Sequence, residues 1–147
     1  HRNSFPRDNE VSGVESLVYD LSGLKYQIAE AINEELATIG FVDLGVKARP
    51  NLVVLKRTKM PAVLVEAGFI NSDTDNMLFD QNFDDIALAI AEGILDTLQR
   101  NGLIEGSADT SGSVNGSGNS GMTGGNAGVN MKIMNLKCSR STITGYR

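Results

Sequence analysis

The sequence contains little of several residue types on which common kinds of site depend. It has no tryptophan, one cysteine (Cys138) and one histidine (His1). A single cysteine excludes an internal disulfide framework and a zinc cluster held by thiolates. A single histidine excludes a site with two imidazoles built from this chain alone. No apolar run approaches the roughly 20 residues that a membrane-spanning helix needs, so the sequence predicts no transmembrane segment.

Length and charge narrow the class of protein further. The chain has 147 residues, of which 41% are hydrophobic, and this is enough for one ordinary domain with a core. It carries 13 basic and 18 acidic residues, which gives a net charge of −5. Because nucleic-acid-binding proteins need an excess of cations to contact phosphates, we predict no nucleic-acid partner.

Composition divides the chain into three parts. Residues 1–106 carry 9 basic and 17 acidic groups and contain the periodic apolar segments, so we expect them to form the folded domain. Residues 107–128 include 7 glycines, 5 serines and 3 asparagines, a composition typical of a flexible linker. Residues 129–147 form an unassigned tail, interpreted as the stub of a truncated further domain. Since the chain begins at His1 without a signal peptide, we expect it to be an internal piece of a longer protein.

Apolar spacing predicts two long helices. Apolar residues three or four apart run from Leu21 to Ile39, with Ser22 placed to cap the helix and Gly40 following its end. The same spacing recurs after Asn82, which is placed to cap the second helix. A short helix is predicted around residues 75–79.

Three short segments are predicted as strands. The first spans residues 12–19, and two apolar runs follow at residues 52–55 and 62–65. Both runs are rich in β-branched residues and lack alternation, as in strands that are covered on both faces. The order strand, helix, strand, strand, helix predicts an α/β layered domain with a buried sheet.

Glu66 is the strongest candidate for a functional residue. It follows four apolar strand residues and precedes Ala67-Gly68-Phe69. Burying a carboxylate at a strand end is costly unless it is paired, hydrogen-bonded or near a metal. Ligand sites of α/β sheets also lie outside the carboxyl ends of strands. Two interpretations stay open, namely a functional carboxylate and one satisfied by loop amides or an arginine.

His1 and a basic loop are weaker candidates. Neutral imidazole is the commonest metal ligand, although a terminal histidine is more often without function. Lys56, Arg57 and Lys59 precede the Glu66 strand, where they either meet an anionic substrate or form a solvated surface. The residues alone offer no partner for Glu10 or Glu15.

The segment from Thr58 to Ile70 reads TKMPAVLVEAGFI. It closely resembles the C-terminal half of the zinc-dependent N-acetylmuramoyl-L-alanine amidases, bacterial and phage enzymes that cut peptidoglycan. The resemblance covers about residues 1–100 and includes His1-x-Asn3, Gly13-Val14-Glu15, Gly45-Val46-Lys47 and the helices from Asp75 onward.

Two positions depart from the pattern of that family. Leu44 stands where the family has an arginine before Gly-Val-Lys, and Asn71-Ser72 reverses its usual Ser-Asn order. We expect these departures to affect contacts with the substrate, since neither position matches a metal ligand or the catalytic carboxylate.

The resemblance implies a fold and a reaction. The fold is an α/β domain with an open, largely parallel or mixed sheet, covered by helices on both faces, whose N-terminal strands are missing from this chain. The reaction cleaves the amide between the lactyl group of N-acetylmuramic acid and L-alanine of the stem peptide. His1 would be one zinc ligand, a histidine and a glutamate upstream would be the others, and Glu66 would be the general base and acid.

The resemblance also implies a setting. Peptidoglycan is the expected partner, the location is extracellular or in the cell wall, and the linker indicates a tethered second module for which wall binding is one role. We expect this chain alone to be inactive, because it contains one of the three zinc ligands. Two alternatives stay open, namely an inactive peptidoglycan-binding or regulatory relative and another zinc-dependent peptidase on a related α/β fold.

Overall fold

A computed structural model describes residues 1–105 of the chain. The predicted linker and tail, and Cys138, lie outside the described residues. The elements in chain order are β1 (Val14–Val18), α1 (Gly23–Thr38), β2 (Asp43–Ala48), α2 (Val53–Lys56), β3 (Leu64–Glu66), α3 (Asp73–Gln81) and α4 (Phe83–Arg100). Among the helices of this part of the chain, none combines the length and the apolar character needed to cross a membrane.

The three strands form an open mixed sheet in the order β2-β1-β3. Strand β1 runs parallel to β2, with Leu17 opposite Lys47. It runs antiparallel to β3, with Glu15 opposite Glu66. This arrangement confirms the predicted α/β class with an open mixed sheet. Because β3 is antiparallel to β1, Glu66 at the end of β3 lies beside the amino end of β1.

Helix α1 forms where the apolar spacing predicts it. Ile32 and Leu36 on the predicted apolar face are buried. Gly40 follows the helix with a φ of +118°, a backbone conformation that favours glycine. Ser22 is the residue before the first turn, but its side chain caps no backbone N–H. Its hydroxyl instead donates to Asp20, so the predicted capping bond is wrong.

The prediction of a strand at residues 52–55 is wrong. These residues begin the one-turn helix α2, in which the N–H of Lys56 bonds the carbonyl of Leu52 at 2.9 Å. Only Leu55 is buried, whereas Val53 and Val54 are 64% and 58% exposed. The run therefore supplies one core side chain and forms no part of the sheet.

Strand β2 occupies residues that the apolar pattern does not mark as a strand. Asp43–Ala48 has no apolar run, its residues are half-buried or exposed, and Gly45 within it has a φ of +81°. A strand at the edge of a sheet needs less apolar surface than a central one, so its sequence gives a weaker signal.

The core lies between the sheet and the two long helices. Val14 of β1, Ile32 and Leu36 of α1, and Ile86 and Ala89 of α4 are buried in one cluster. Side chains alternate along a strand, so the neighbours of Val14 point the other way. Glu15 therefore lies on the sheet face opposite the long helices, together with Glu66.

The last two helices follow the predictions in part. Helix α3 is longer than predicted, and the Ser72 side chain accepts a hydrogen bond from the Asp75 N–H at its first turn. Helix α4 begins after Asn82 as predicted. The Asn82 side chain does not cap it, because its amide donates to the carbonyl of Leu78 in the preceding helix.

Candidate active site

Glu66 ends strand β3 as a buried carboxylate, only 6% exposed. Its strand partner is Glu15 of β1, so two carboxylates stand side by side on one face of the sheet. Burial raises the pKa of the Glu66 carboxyl above its usual range, and the Glu15 carboxylate acts in the same direction.

The structure brings His1 to Glu66. The Nδ1 atom of His1 lies 2.8 Å from Oε2 of Glu66, and the imidazole side chain is 65% exposed. The backbone of the histidine is also fixed, since its carbonyl accepts a hydrogen bond from the Ala67 N–H at 2.9 Å. Because Nδ1 is engaged by a carboxylate, a metal bound by this ring would take Nε2.

Residues 1–3 run parallel to the segment that follows Glu66. The Asn3 N–H donates to the carbonyl of Gly68, and the Asn3 carbonyl accepts from the N–H of Ile70, both at 2.9 Å. The contact between His1 and Glu66 is therefore made by two backbone segments that are themselves hydrogen-bonded.

Arg2 fixes the same segment from its other side. Its guanidinium donates to the carbonyls of Ala67 at 3.2 Å and Phe69 at 3.0 Å, and to the side-chain oxygen of Asn76 at 2.7 Å. The guanidinium also lies 4.5 Å from the centre of the Phe79 ring. One arginine thus joins the segment after Glu66 to helix α3.

A second buried carboxylate, that of Asp75, bonds the backbone of the segment that follows Glu66. Asp75 is 1% exposed and accepts the N–H of Phe69 at 2.7 Å and the N–H of Gly13 at 2.9 Å. Gly68 has a φ of +84°, and a Cβ there would lie 2.9 Å from the Cβ of Asp75. Position 68 therefore requires a glycine, because any side chain there would collide with Asp75.

Glu15 has the partners that sequence reasoning did not find. One of its oxygens accepts from the Lys47 ammonium and the other from the Asn3 side-chain amide, the latter at 2.7 Å. Lys47 and Asn3 lie in segments that resemble the amidase family, and this resemblance was the only indication in the sequence that the two residues belong to the site. The Lys47 contact requires the β1–β2 pairing, which the apolar pattern does not reveal. Glu10 pairs with Arg7 at the surface, at 2.6 Å.

Both residues of the reversed pair Asn71-Ser72 form hydrogen bonds with the backbone. Ser72 caps helix α3, and the Asn71 side chain exchanges hydrogen bonds with the backbone of Phe5, donating at 2.7 Å and accepting at 3.1 Å. Asn71 thus holds the N-terminal segment a few residues beyond the point where His1 meets Glu66.

The basic loop lies at the other end of β3. Lys56 and Lys59 line a pocket of about 360 Å³ together with Tyr19, Lys25 and Met60. Glu66 is not among the residues of that pocket. The structure therefore does not join these cations to the carboxylate.

The described residues fit a zinc ion only in part. His1 offers one exposed imidazole beside a carboxylate, which suits one ligand position. Within residues 1–105, no group of three or more histidine, cysteine, aspartate or glutamate side chains is arranged to hold a metal. These residues alone therefore do not form the three-ligand set of a catalytic zinc site.

Solved structures of similar fold include the catalytic domain of an endolysin and several amidases. The catalytic domain of the CD27L endolysin, which targets Clostridia difficile, is 31% identical with a TM-score of 0.58, over 65% of this chain and 51% of that one. For the amidase AmiC2 of Nostoc punctiforme the identity is 32% and the TM-score 0.60, over 68% and 56%. The CwlD amidase of Clostridioides difficile, solved in complex with the GerS lipoprotein, is 27% identical with a TM-score of 0.61, over 68% of this chain and 52% of that one.

The chain spans about half the length of these three structures. No curated protein matches the sequence. The sequence profile of the N-acetylmuramoyl-L-alanine amidase family Amidase_3 matches residues 1–96, which include every residue of the site described above. The chain therefore belongs to the N-acetylmuramoyl-L-alanine amidase family.

Proposed function

We propose that this protein acts in peptidoglycan hydrolysis, cleaving the amide between the lactyl group of N-acetylmuramic acid and L-alanine of the stem peptide. The observation that carries the proposal is the buried Glu66 carboxylate in contact with His1, within the segment that matches the amidase family. Peptidoglycan is the proposed partner, and the cell wall or its exterior the proposed location.

Glu66 is proposed to be the group that moves the proton. Hydrolysis forms a bond between a water oxygen and the carbonyl carbon and breaks the carbon–nitrogen bond. The carboxylate would accept a proton from the attacking water and then deliver it to the departing amine of L-alanine. Its attachment at a strand end, with the following segment held by Arg2 and Asp75, would keep the carboxylate in a fixed position during both transfers.

Zinc is proposed as the cofactor, with His1 as one ligand. When bound, the ion activates a water molecule and polarises the scissile carbonyl. Because residues 1–105 offer one imidazole and no three-ligand group, the remaining ligands of such a site would have to lie outside this part of the chain.

Substitution of Glu66 tests the proposal. Glu66→Gln retains the size of the side chain and removes the group that accepts the proton. We expect cleavage of purified peptidoglycan by the intact protein, meaning one that also supplies the remaining zinc ligands, to fall by at least about 100-fold. The measurement is the release of stem peptides with a free L-alanine amino group, identified by mass.

Glu10→Gln is the matched control, since Glu10 is a surface carboxylate paired with Arg7, and it should leave the rate unchanged. Full activity of Glu66→Gln would contradict the role of Glu66. Binding to peptidoglycan without peptide release by the unsubstituted protein would instead favour an inactive relative. Cleavage of a different amide would favour another peptidase.

A further inference from the structure

Glu15 is a buried carboxylate that the proposed reaction does not use. It is 6% exposed and stands directly opposite Glu66 in the antiparallel pair of strands. Burying a carboxylate is costly unless charged or polar partners satisfy it. The identity of its partners therefore indicates why a charge is placed at this position.

The two oxygens of Glu15 face two different parts of the fold. Oε2 accepts from the Lys47 ammonium on β2, and Oε1 accepts from the side-chain amide of Asn3 at 2.7 Å. A role confined to joining β1 with β2 would need only the Lys47 contact. The second oxygen reaches the N-terminal segment, which belongs to no strand of the sheet.

Asn3 connects Glu15 to the candidate active site. Its backbone donates to Gly68 and accepts from Ile70, both at 2.9 Å. Two residues earlier, the His1 carbonyl accepts from Ala67 and the His1 ring meets Glu66 at 2.8 Å. The orientation of the histidine therefore depends on a segment that Glu15 holds by its side chain.

Apart from the contact of His1 with Glu66, the other ion pairs of the described residues have no buried carboxylate. Arg7 with Glu10 and Lys25 with Asp20 join exposed or half-exposed side chains near each other in sequence. Glu15 and Lys47 are 32 residues apart, and the Glu15 side chain is only 7% exposed. Lys47 is 40% exposed, so it is the Glu15 carboxylate that is shielded from solvent, and a buried charge is less screened than an exposed one.

We propose that Glu15 is a positioning residue that acts through Asn3 to hold His1 against Glu66. Lys47 balances the charge of Glu15 and fixes one of its oxygens, so that the other is presented to Asn3. The proposal rests on the function proposed above for Glu66. It adds that a residue outside the reacting groups, Glu15, sets the distance between His1 and Glu66.

Three variants of the intact protein test it, namely Asn3→Ala, Glu15→Ala and the double variant. Hydrogen exchange is measured at the amides of Ala67 and Ile70, which bond the N-terminal segment. We expect each variant to speed exchange at both amides by about tenfold, as for loss of one charge-assisted hydrogen bond. The amide of Arg49, which bonds the Val18 carbonyl at 2.8 Å, is the reference within the same fold and should not change in Asn3→Ala, which leaves the contact of Lys47 with Glu15 in place.

Peptidoglycan cleavage is measured on the same variants. We expect kcat to fall about tenfold with little change in KM, because the reacting groups shift while the substrate surface stays intact. The double variant should lose no more than Glu15→Ala alone, since Asn3→Ala removes a contact that Glu15→Ala already removes. Glu15→Gln retains an acceptor for Asn3 and should recover most of the loss, and Glu10→Ala is the matched surface control.

Unchanged exchange at Ala67 and Ile70 in Asn3→Ala, or losses that add in the double variant, would overturn the proposal. Asn3→Ala removes no core side chain, so it remains informative if Glu15→Ala fails to fold. Absence of cleavage by the unsubstituted intact protein, with the remaining zinc ligands supplied, would refute the proposed function, whereas the exchange measurement would still decide whether Glu15 positions the segment.

Discussion

The carboxylate of Asp75 holds together two backbone segments that flank the candidate site. Its oxygens accept the N–H of Phe69, three residues after Glu66, and the N–H of Gly13, two residues before Glu15. A buried acceptor that serves two backbone donors is expensive to remove, because both donors then lack partners away from water.

We predict that Asp75→Asn lowers the free energy of unfolding by about 2 kcal/mol. The amide lacks the negative charge to which both N–H groups bond, and with its oxygen in the place of Oδ2 it turns its NH2 group toward the Gly13 N–H, which lies 3.1 Å from Oδ1. Chemical denaturation measures the change. Asp80→Asn, on the same helix but exposed, is the matched control and should stay within about 0.5 kcal/mol of the unsubstituted protein. Equal stability of the two variants would show that the Asp75 charge is unimportant.

At the scale of single residues, sequence reasoning succeeds where the signal is local. Glu66 is marked by four apolar neighbours and a following glycine, and the structure does bury it. Glu15 carries no such mark, because its partners Lys47 and Asn3 come from a neighbouring strand and from the start of the chain. Such a contact depends on strand register, which the apolar pattern at β2 is too weak to indicate.

At the scale of elements, helices α1 and α4 approach so closely that no side chain fits between them at one point. Gly93 of α4 is buried there, and a Cβ at this position would lie 2.7 Å from the backbone nitrogen of Ile32 and 2.8 Å from its Cα. Backbone atoms cannot rotate away as a side chain does, so any larger residue must push the two helices apart.

Gly93→Ala is therefore expected to destabilise the domain by about 1–3 kcal/mol, although alanine is the better helix former by about 1 kcal/mol. The thermal unfolding midpoint should fall accordingly. Glu92→Ala tests the neighbouring position, where the side chain is exposed, and should leave the midpoint nearly unchanged. A rise in stability for Gly93→Ala would mean that the helices can separate at little cost.

The predicted elements differ in how much their sequences reveal. Helix α1 is recovered because its apolar residues keep a helical period over many turns, whereas the run at residues 52–55 is too short to have a period. Strand β2 is missed because an edge strand buries little apolar surface. The mixed direction of the sheet is a property of tertiary pairing, and the length of a connection does not determine it.

At the scale of the whole molecule, the candidate site is assembled from segments far apart in the sequence. Four segments contribute side chains or hydrogen bonds to it: residues 1–3, the amino end of β1, strand β2, and the segment from Glu66 to Asn76. Each contact is supported by others, as with the two segments that pair between Asn3 and Phe69. Residues 1–105 thus fix the position of the proposed acid–base group, Glu66, whereas they bring together no group of three or more side chains that could hold the proposed zinc ion.

This asymmetry predicts the zinc affinity of a polypeptide that consists of these 147 residues. Three protein ligands are usual for catalytic zinc, and one imidazole beside a carboxylate forms few of the bonds that give tight binding. After dialysis against buffer without metal, we expect less than about 0.1 zinc per chain. His1→Ala should change that content little, and peptidoglycan cleavage should be undetectable with or without added zinc. One zinc per chain retained through dialysis, together with cleavage, would require ligands that residues 1–105 do not bring together.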